Sequence, residues 1–120
     1  VVDTWNQRIQ GFLSIEDQAT FAPVAEWAVD AWYGQSLENK PYLDTGPAGI
    51  VCTTDPEAFR VLCFQDEGEF VGGWGGMFGN SSNQFDILSG VAIDSEGSVW
   101  VVDSGNQRVM RFEPPFLQSP

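Results

Sequence analysis

The run Gly97–Phe112, GSVWVVDSGNQRVMRF, decides the fold. A β-branched segment, Val99 to Val102, enters a polar turn at Asp103-Ser104-Gly105-Asn106-Gln107, and a second segment, Arg108 to Phe112, leaves it. Strand-forming residues on both sides of an Asn/Gly/Ser turn predict a β-hairpin. The same text occurs twice more. VVDTWNQRIQGF at Val1–Phe12 is nearly identical, and GIVCTTDPEAFRVLCF at Gly49–Phe64 is a diverged copy. Asp3, Asp55 and Asp103 each precede an arginine (Arg8, Arg60, Arg108) by five residues, and each arginine precedes a phenylalanine (Phe12, Phe64, Phe112) by four. The aspartates lie 52 and 48 residues apart, and self-similarity at such a period signals a repeat architecture.

Around each hairpin the same four elements recur: an inner strand, a Gly-x-Val strand, the strand after the arginine, and an outer strand ending near a tryptophan. A four-stranded antiparallel sheet repeated every ~45–50 residues is a propeller blade. The expected fold is all-β: about two four-stranded blades plus part of a third. The repeats divide the chain into 1–21, the end of a partial blade; 22–68, a second blade; 69–112, a third; and a Pro-rich tail, 113–120. Both ends read as cut from something longer. Phe21–Tyr33 fits a helical face (Val24, Trp27, Ala28, Ala31, Trp32) and also an alternating strand (Ala25, Trp27, Val29, Ala31); repeat context selects the outer strand. Leu88–Asp94 is short and apolar, as a strand buried on both faces would be.

Seventeen acids against five bases give a net charge of −12, which argues against nucleic-acid partners. No apolar run is long enough to span a bilayer as a helix. The chain has no histidine, so Ser/His/Asp and Cys/His catalysis are excluded. Gly72–Gly76 lacks the lysine of a phosphate loop, and Asp94–Gly97 lacks the ligand count of a Ca²⁺ loop. No cofactor is expected.

Three groups of residues stand out. The pairs Asp3/Arg8, Asp55/Arg60 and Asp103/Arg108 recur in every copy, as residues that close a turn by a charge-assisted hydrogen bond do. Asn6 and Asn106 read as turn residues suited to left-handed backbone. If Asp55 faces Arg60, then Cys52 faces Cys63 on adjacent strands; they form either a disulfide, which implies an oxidising compartment, or two buried thiols. Trp100 and Arg111 hold the matching positions in the last copy, a cation–π pair. Of the five tryptophans, Trp5 sits in a turn and is the candidate partner contact.

The texts VVDTWNQRIQ and GVAIDSEGSVWVVDSGNQRVMRF resemble NHL repeats, with Ser89 where that family prefers proline. WYGQSLENKPYL and TDPEAFRVLCF also resemble the C-terminal NHL region of large membrane proteins from green non-sulfur bacteria. The resemblance implies a six-bladed or similar propeller, a fold that hosts diverse functions; the paired cysteines, the acid excess and the lack of candidate catalytic groups favour a non-catalytic protein-interaction or scaffold module. It would be extracytoplasmic and accessory to a bacterial membrane protein or complex, its partners being further blades of the same parent chain or a membrane protein. The alternative is a propeller lyase or hydrolase with a metal held by channel carboxylates, for which Asp44 and Asp94 are placed at inner-strand ends.

Overall fold

The computed structural model describes residues 1–15, 20–34 and 39–113. Its strands are β1 (Val2–Asp3), β2 (Arg8–Ser14), β3 (Phe21–Ala28), β4 (Leu43–Thr45), β5 (Ile50–Asp55), β6 (Arg60–Gln65), β7 (Phe70–Gly75), β8 (Leu88–Ile93), β9 (Val99–Asp103) and β10 (Arg108–Phe112). They form three antiparallel sheets with the orders β1-β2-β3, β4-β5-β6-β7 and β8-β9-β10, an all-β arrangement consistent with a partial propeller. Phe21–Ala28 is a strand, paired with β2 from Arg8↔Ala28 to Ser14↔Phe21.

Hydrogen bonding groups the chain differently from the division at 21/22 and 68/69. β3 closes the first sheet and β7 closes the second, because each outer strand folds back on the strand just before it. A repeat fixes the period of the text but not the phase at which a sheet begins. The tail lies outside the described residues beyond Glu113, as does most of the segment between Gly34 and Asn39.

The middle sheet is covered on both faces. Ile50, Cys52, Val61 and Cys63 pack against Phe85, Leu88, Val99 and Val101 of the third sheet and its approach. Leu62 and Phe64 pack the other way, with Ile9, Val29, Ala31 and Trp32. Every residue of β5 is buried, whereas β9 alternates buried and exposed. β8 is not buried on both faces as its sequence suggests; only Leu88 is fully buried. One face of the third sheet has no described sheet against it, and Ala92, Trp100, Val102 and Val109 remain exposed.

At the inner end the second and third sheets are stitched directly. The Asp44 carboxylate accepts from the Ile93 N–H at 2.7 Å. Gly46 is glycine for want of room: a Cβ there would lie 2.3 Å from a methyl of Ile93. Gly49 and Gly97, matched in the repeat, both take left-handed backbone (φ 77° and 89°) in the turns entering β5 and β9.

Candidate protein-interaction face

The repeated hairpin builds one end of the molecule. In each copy the aspartate ends a strand, a single turn of 3₁₀ helix follows, and a left-handed residue leads into the next strand. That residue is Gln7, Phe59 or Gln107, at φ 51–55°. The asparagines stand one place earlier than a left-handed role requires. Their amides instead donate to the aspartate: Asn6 to Asp3 at 3.0 Å and Asn106 to Asp103 at 2.8 Å. The middle copy has Ala58 there and makes no such bond.

All three Asp–Arg pairs are formed, with arginine Nε donating to aspartate Oδ2 at 2.7 Å (Arg8), 2.8 Å (Arg60) and 2.9 Å (Arg108). The other carboxylate oxygen does something that the repeat text does not announce. Asp55 Oδ1 accepts from the Trp32 N–H at 3.0 Å, and Asp103 Oδ1 accepts from the Asp86 N–H at 2.9 Å. Trp32 and Asp86 lie in the segments that carry the chain from one sheet to the next. The arginines grip the same segments by carbonyls: Arg60 donates to Asp30 O, and Arg108 to Asn80, Ser81 and Gln84 O. Asp55/Arg60 and Asp103/Arg108 are therefore clamps on inter-sheet connections as well as turn closures. Trp32 shows the grip: its left-handed backbone (φ 63°) is held by the Asp55 bond and by its indole N–H donating to Thr54 O at 2.9 Å. Among the described residues Asp3 makes only the turn bonds, and its side chain is 26% exposed against 2% and 0% for its two counterparts. The amide of Asn6, and after it the guanidinium of Arg8, hold the Asp3 carboxyl below the ordinary carboxylate range.

The clamps place turns and connections at the same end. Val29 N donates to Gln7 O, and Gly76 N donates to Phe59 O. Large apolar side chains crowd this end: Trp5 is 78% exposed, and Tyr33, Met77 and Phe78 are each more than 60% exposed. Phe59 and Phe78 meet edge to face at 5.5 Å. The Tyr33 hydroxyl donates to Asp30, and that bond raises its pKa above the ordinary phenol value. The opposite end carries the turns Asp66–Glu69 and Asp94–Gly97, with five acids: Asp66, Glu67, Glu69, Asp94 and Glu96.

The other tryptophans divide between packing and exposure. Trp32 is buried, Trp74 stacks on Phe112 at 4.9 Å, Trp27 lies against Phe64, and Trp100 is 40% exposed beneath the Arg111 guanidinium at 5.9 Å. Cys52 and Cys63 pair in register and form a disulfide with Cα atoms 4.1 Å apart, both fully buried.

The two residues suggested for a channel metal are both engaged in hydrogen bonds. Asp44 accepts from Ile93 N–H. Asp94 is engaged within its own turn, accepting from Trp100 Nε1, Glu96 N and Ser98 N, and the Trp100 bond chiefly lowers its pKa. Among the described residues, no three His, Cys, Asp or Glu side chains gather as a metal site requires.

Comparison with known families bears on the last hairpin and the inner strand before it. Residues 85–112 match the NHL repeat. The match spans the connection end at Phe85, all of β8, β9 and β10, and the Asp103/Arg108 clamp. This NHL unit and the three stacked sheets fit a propeller module of the protein-interaction type. No curated protein matches the chain. Among the described residues, no helix is long and apolar enough to cross a membrane.

Proposed function

We propose that this protein is a non-catalytic interaction or scaffold module, an extracytoplasmic accessory part of a bacterial membrane protein or complex. It binds a protein partner through the end built by the hairpin turns and inter-sheet connections. The observation that carries this reading is Trp5, at 78% exposure on a turn whose backbone is fixed by the Asp3–Asn6–Arg8 network. Large exposed aromatics on a rigid support are what interface anchors are made of, whereas a loosely held surface tryptophan loses more entropy on binding. Tyr33, Met77 and Phe78 extend the apolar character of that end. The buried disulfide supports an oxidising, extracytoplasmic setting. The membrane context rests on the resemblance of WYGQSLENKPYL and TDPEAFRVLCF to NHL regions of large bacterial membrane proteins.

The test is affinity capture from native membranes with the wild-type chain and with Trp5→Ala. The reading expects one recurrent partner whose recovery falls at least ~10-fold in the variant, a loss of about 1.4 kcal/mol or more. Far-UV circular dichroism should be unchanged. No stable partner, or recovery indifferent to Trp5, overturns it.

A further inference from the structure

The connection between β7 and β8 carries a sequence signal that neither the fold nor the interaction end uses. The chain has five asparagines, and one of them, in Asn80-Ser81-Ser82, stands in the order Asn-x-Ser with x other than proline. That order is the acceptor of N-linked glycan transfer in proteins exported across a membrane. Two structural observations point the same way.

The first is what the asparagines do. Asn6 donates to Asp3, Asn39 to Glu57 at 3.2 Å, and Asn106 to both Asp103 and Gly79 O. Asn83 Oδ1 accepts from the Gly75 N–H at 2.8 Å, at the end of β7. These four amides fasten turns, connections and a strand end. Asn80 differs. It is exposed, and among the described residues its side-chain amide has no partner; the same holds for the hydroxyl of exposed Ser82. The one asparagine in an acceptor triplet is the one without a structural bond.

The second is how the triplet is presented. Its backbone is held from the protein side. Arg108 donates to Asn80 O at 2.8 Å and to Ser81 O at 2.9 Å, and Asn106 donates to Gly79 O at 2.8 Å. The Ser81 N–H donates to Gln84 Oε1 at 3.3 Å, and Phe85, fully buried, returns the chain to the core. The carbonyls of Asn80 and Ser81 are thus occupied, while Asn80, Ser81 and Ser82 all stay exposed outside any strand. A bulky polar group attached there displaces no packed side chain, and such surface connections are where additions are tolerated.

We propose that Asn80 is an N-glycosylation site. The donor is a glycan linked through a diphosphate to a membrane lipid, and the catalyst is a membrane-bound oligosaccharyltransferase. Asn80 Nδ2 attacks the anomeric carbon; the C–N bond forms as the C–O bond to the diphosphate breaks. The lipid diphosphate leaves with the electron pair, and the amide gives one proton to a base of the transferase. Ser82 supplies the hydroxyl by which the triplet is recognised. The inference rests on the extracytoplasmic part of the reading above, which the buried Cys52–Cys63 disulfide supports, and not on the Trp5 contact.

The test is intact mass and peptide fragmentation of the chain purified from native membranes. The tryptic peptide Val61–Arg108 holds Asn80, Asn83 and Asn106, so fragmentation assigns the carrier. A glycan on Asn80 is expected in the wild type, lost in both Asn80→Gln and Ser82→Ala, and kept in Ser82→Thr. All three variants should unfold at the wild-type urea midpoint, which separates loss of the acceptor from loss of the fold. Bare Asn80 in the wild type, a glycan on another residue only, or a glycan that survives Ser82→Ala overturns the proposal. Glycosylated Asn80 with no partner captured removes only the partner reading. Trp5-dependent capture by a chain bare at Asn80 removes only this one.

Discussion

β5 and β9 occupy the same place in two copies of one repeat, yet all six residues of β5 are buried while β9 alternates. Thr54 and Val102, 48 residues apart and matched in the repeat, show the contrast: Thr54 is fully buried and Val102 is 38% exposed. The sequences do not explain it, since β9 is the more apolar of the two. Neighbours explain it. Among the described residues the middle sheet has a sheet on each face, and the third has one. In a stacked repeat, burial is a property of position in the stack, and strands of one design become core or surface according to what lies beside them. The clamps follow the same rule. Asp55 and Asp103 each hold a connection and are sealed; Asp3, whose side-chain partners among the described residues are Asn6 and Arg8, is more open.

That comparison can be broken most sharply at the clamps. Asp103→Ala removes the acceptor for Arg108, Asn106 and the Asp86 amide at a site with no solvent access. It should cost ~3 kcal/mol or more in urea unfolding, because stranded buried donors and an unpaired guanidinium remain. Asp3→Ala, at the open copy, should cost ~1 kcal/mol or less. Equal effects would mean that gripping the connections contributes nothing.

The second contrast lies across the hairpins. Cys52 and Cys63 of the middle sheet are bridged, and Trp100 and Arg111 fill the same places in the third. The bridge closes a loop with a sequence separation of 11, so replacing both cysteines by alanine should lower stability by about 3 kcal/mol. Arg111→Ala, which breaks an exposed cation–π contact, should cost under ~1 kcal/mol. Two alkylatable thiols in the unreduced native protein would remove the first half of the contrast.

The smallest effect concerns pH. Asp94 has a lowered pKa because the Trp100 indole donates to it, followed by the Ser98 and Glu96 amides, and the middle copy has Gly46 in its place. A carboxyl whose folded pKa is depressed stabilises above its unfolded value, and the benefit is lost as pH falls through the folded value. Trp100→Phe should flatten the acid limb of the stability curve below the ordinary carboxylate range, leave the neutral-to-basic limb unchanged in shape, and raise the Asp94 titration midpoint in NMR.

Much of the fold was legible because the hairpin is written three times. Reading Asp55 opposite Arg60 fixes the register of β5 on β6, and Cys52 opposite Cys63 follows from it. The exposure of Trp5 was legible from its place in a turn. The second function of the aspartates was not. Their partners are the backbone N–H groups of Trp32 and Asp86, which any non-proline residue offers, in connections without common text. The left-handed position was misread because asparagine tolerates that backbone intrinsically, whereas the turn places Gln7, Phe59 and Gln107 there. The double burial expected of β8 fails for a physical reason: its own residues are apolar enough, and only the stack decides.

The central claim is that the three hairpins stack face to face, with the middle one enclosed. Side-chain NOEs on a methyl-labelled sample test it most directly. The account predicts contacts from Val61 and Ile50 to Val99, Val101 and Leu88, and from Leu62 to Ile9, so that β5–β6 is seen from both faces. Contacts on one face of β5–β6 only, or none between the hairpins, would contradict it.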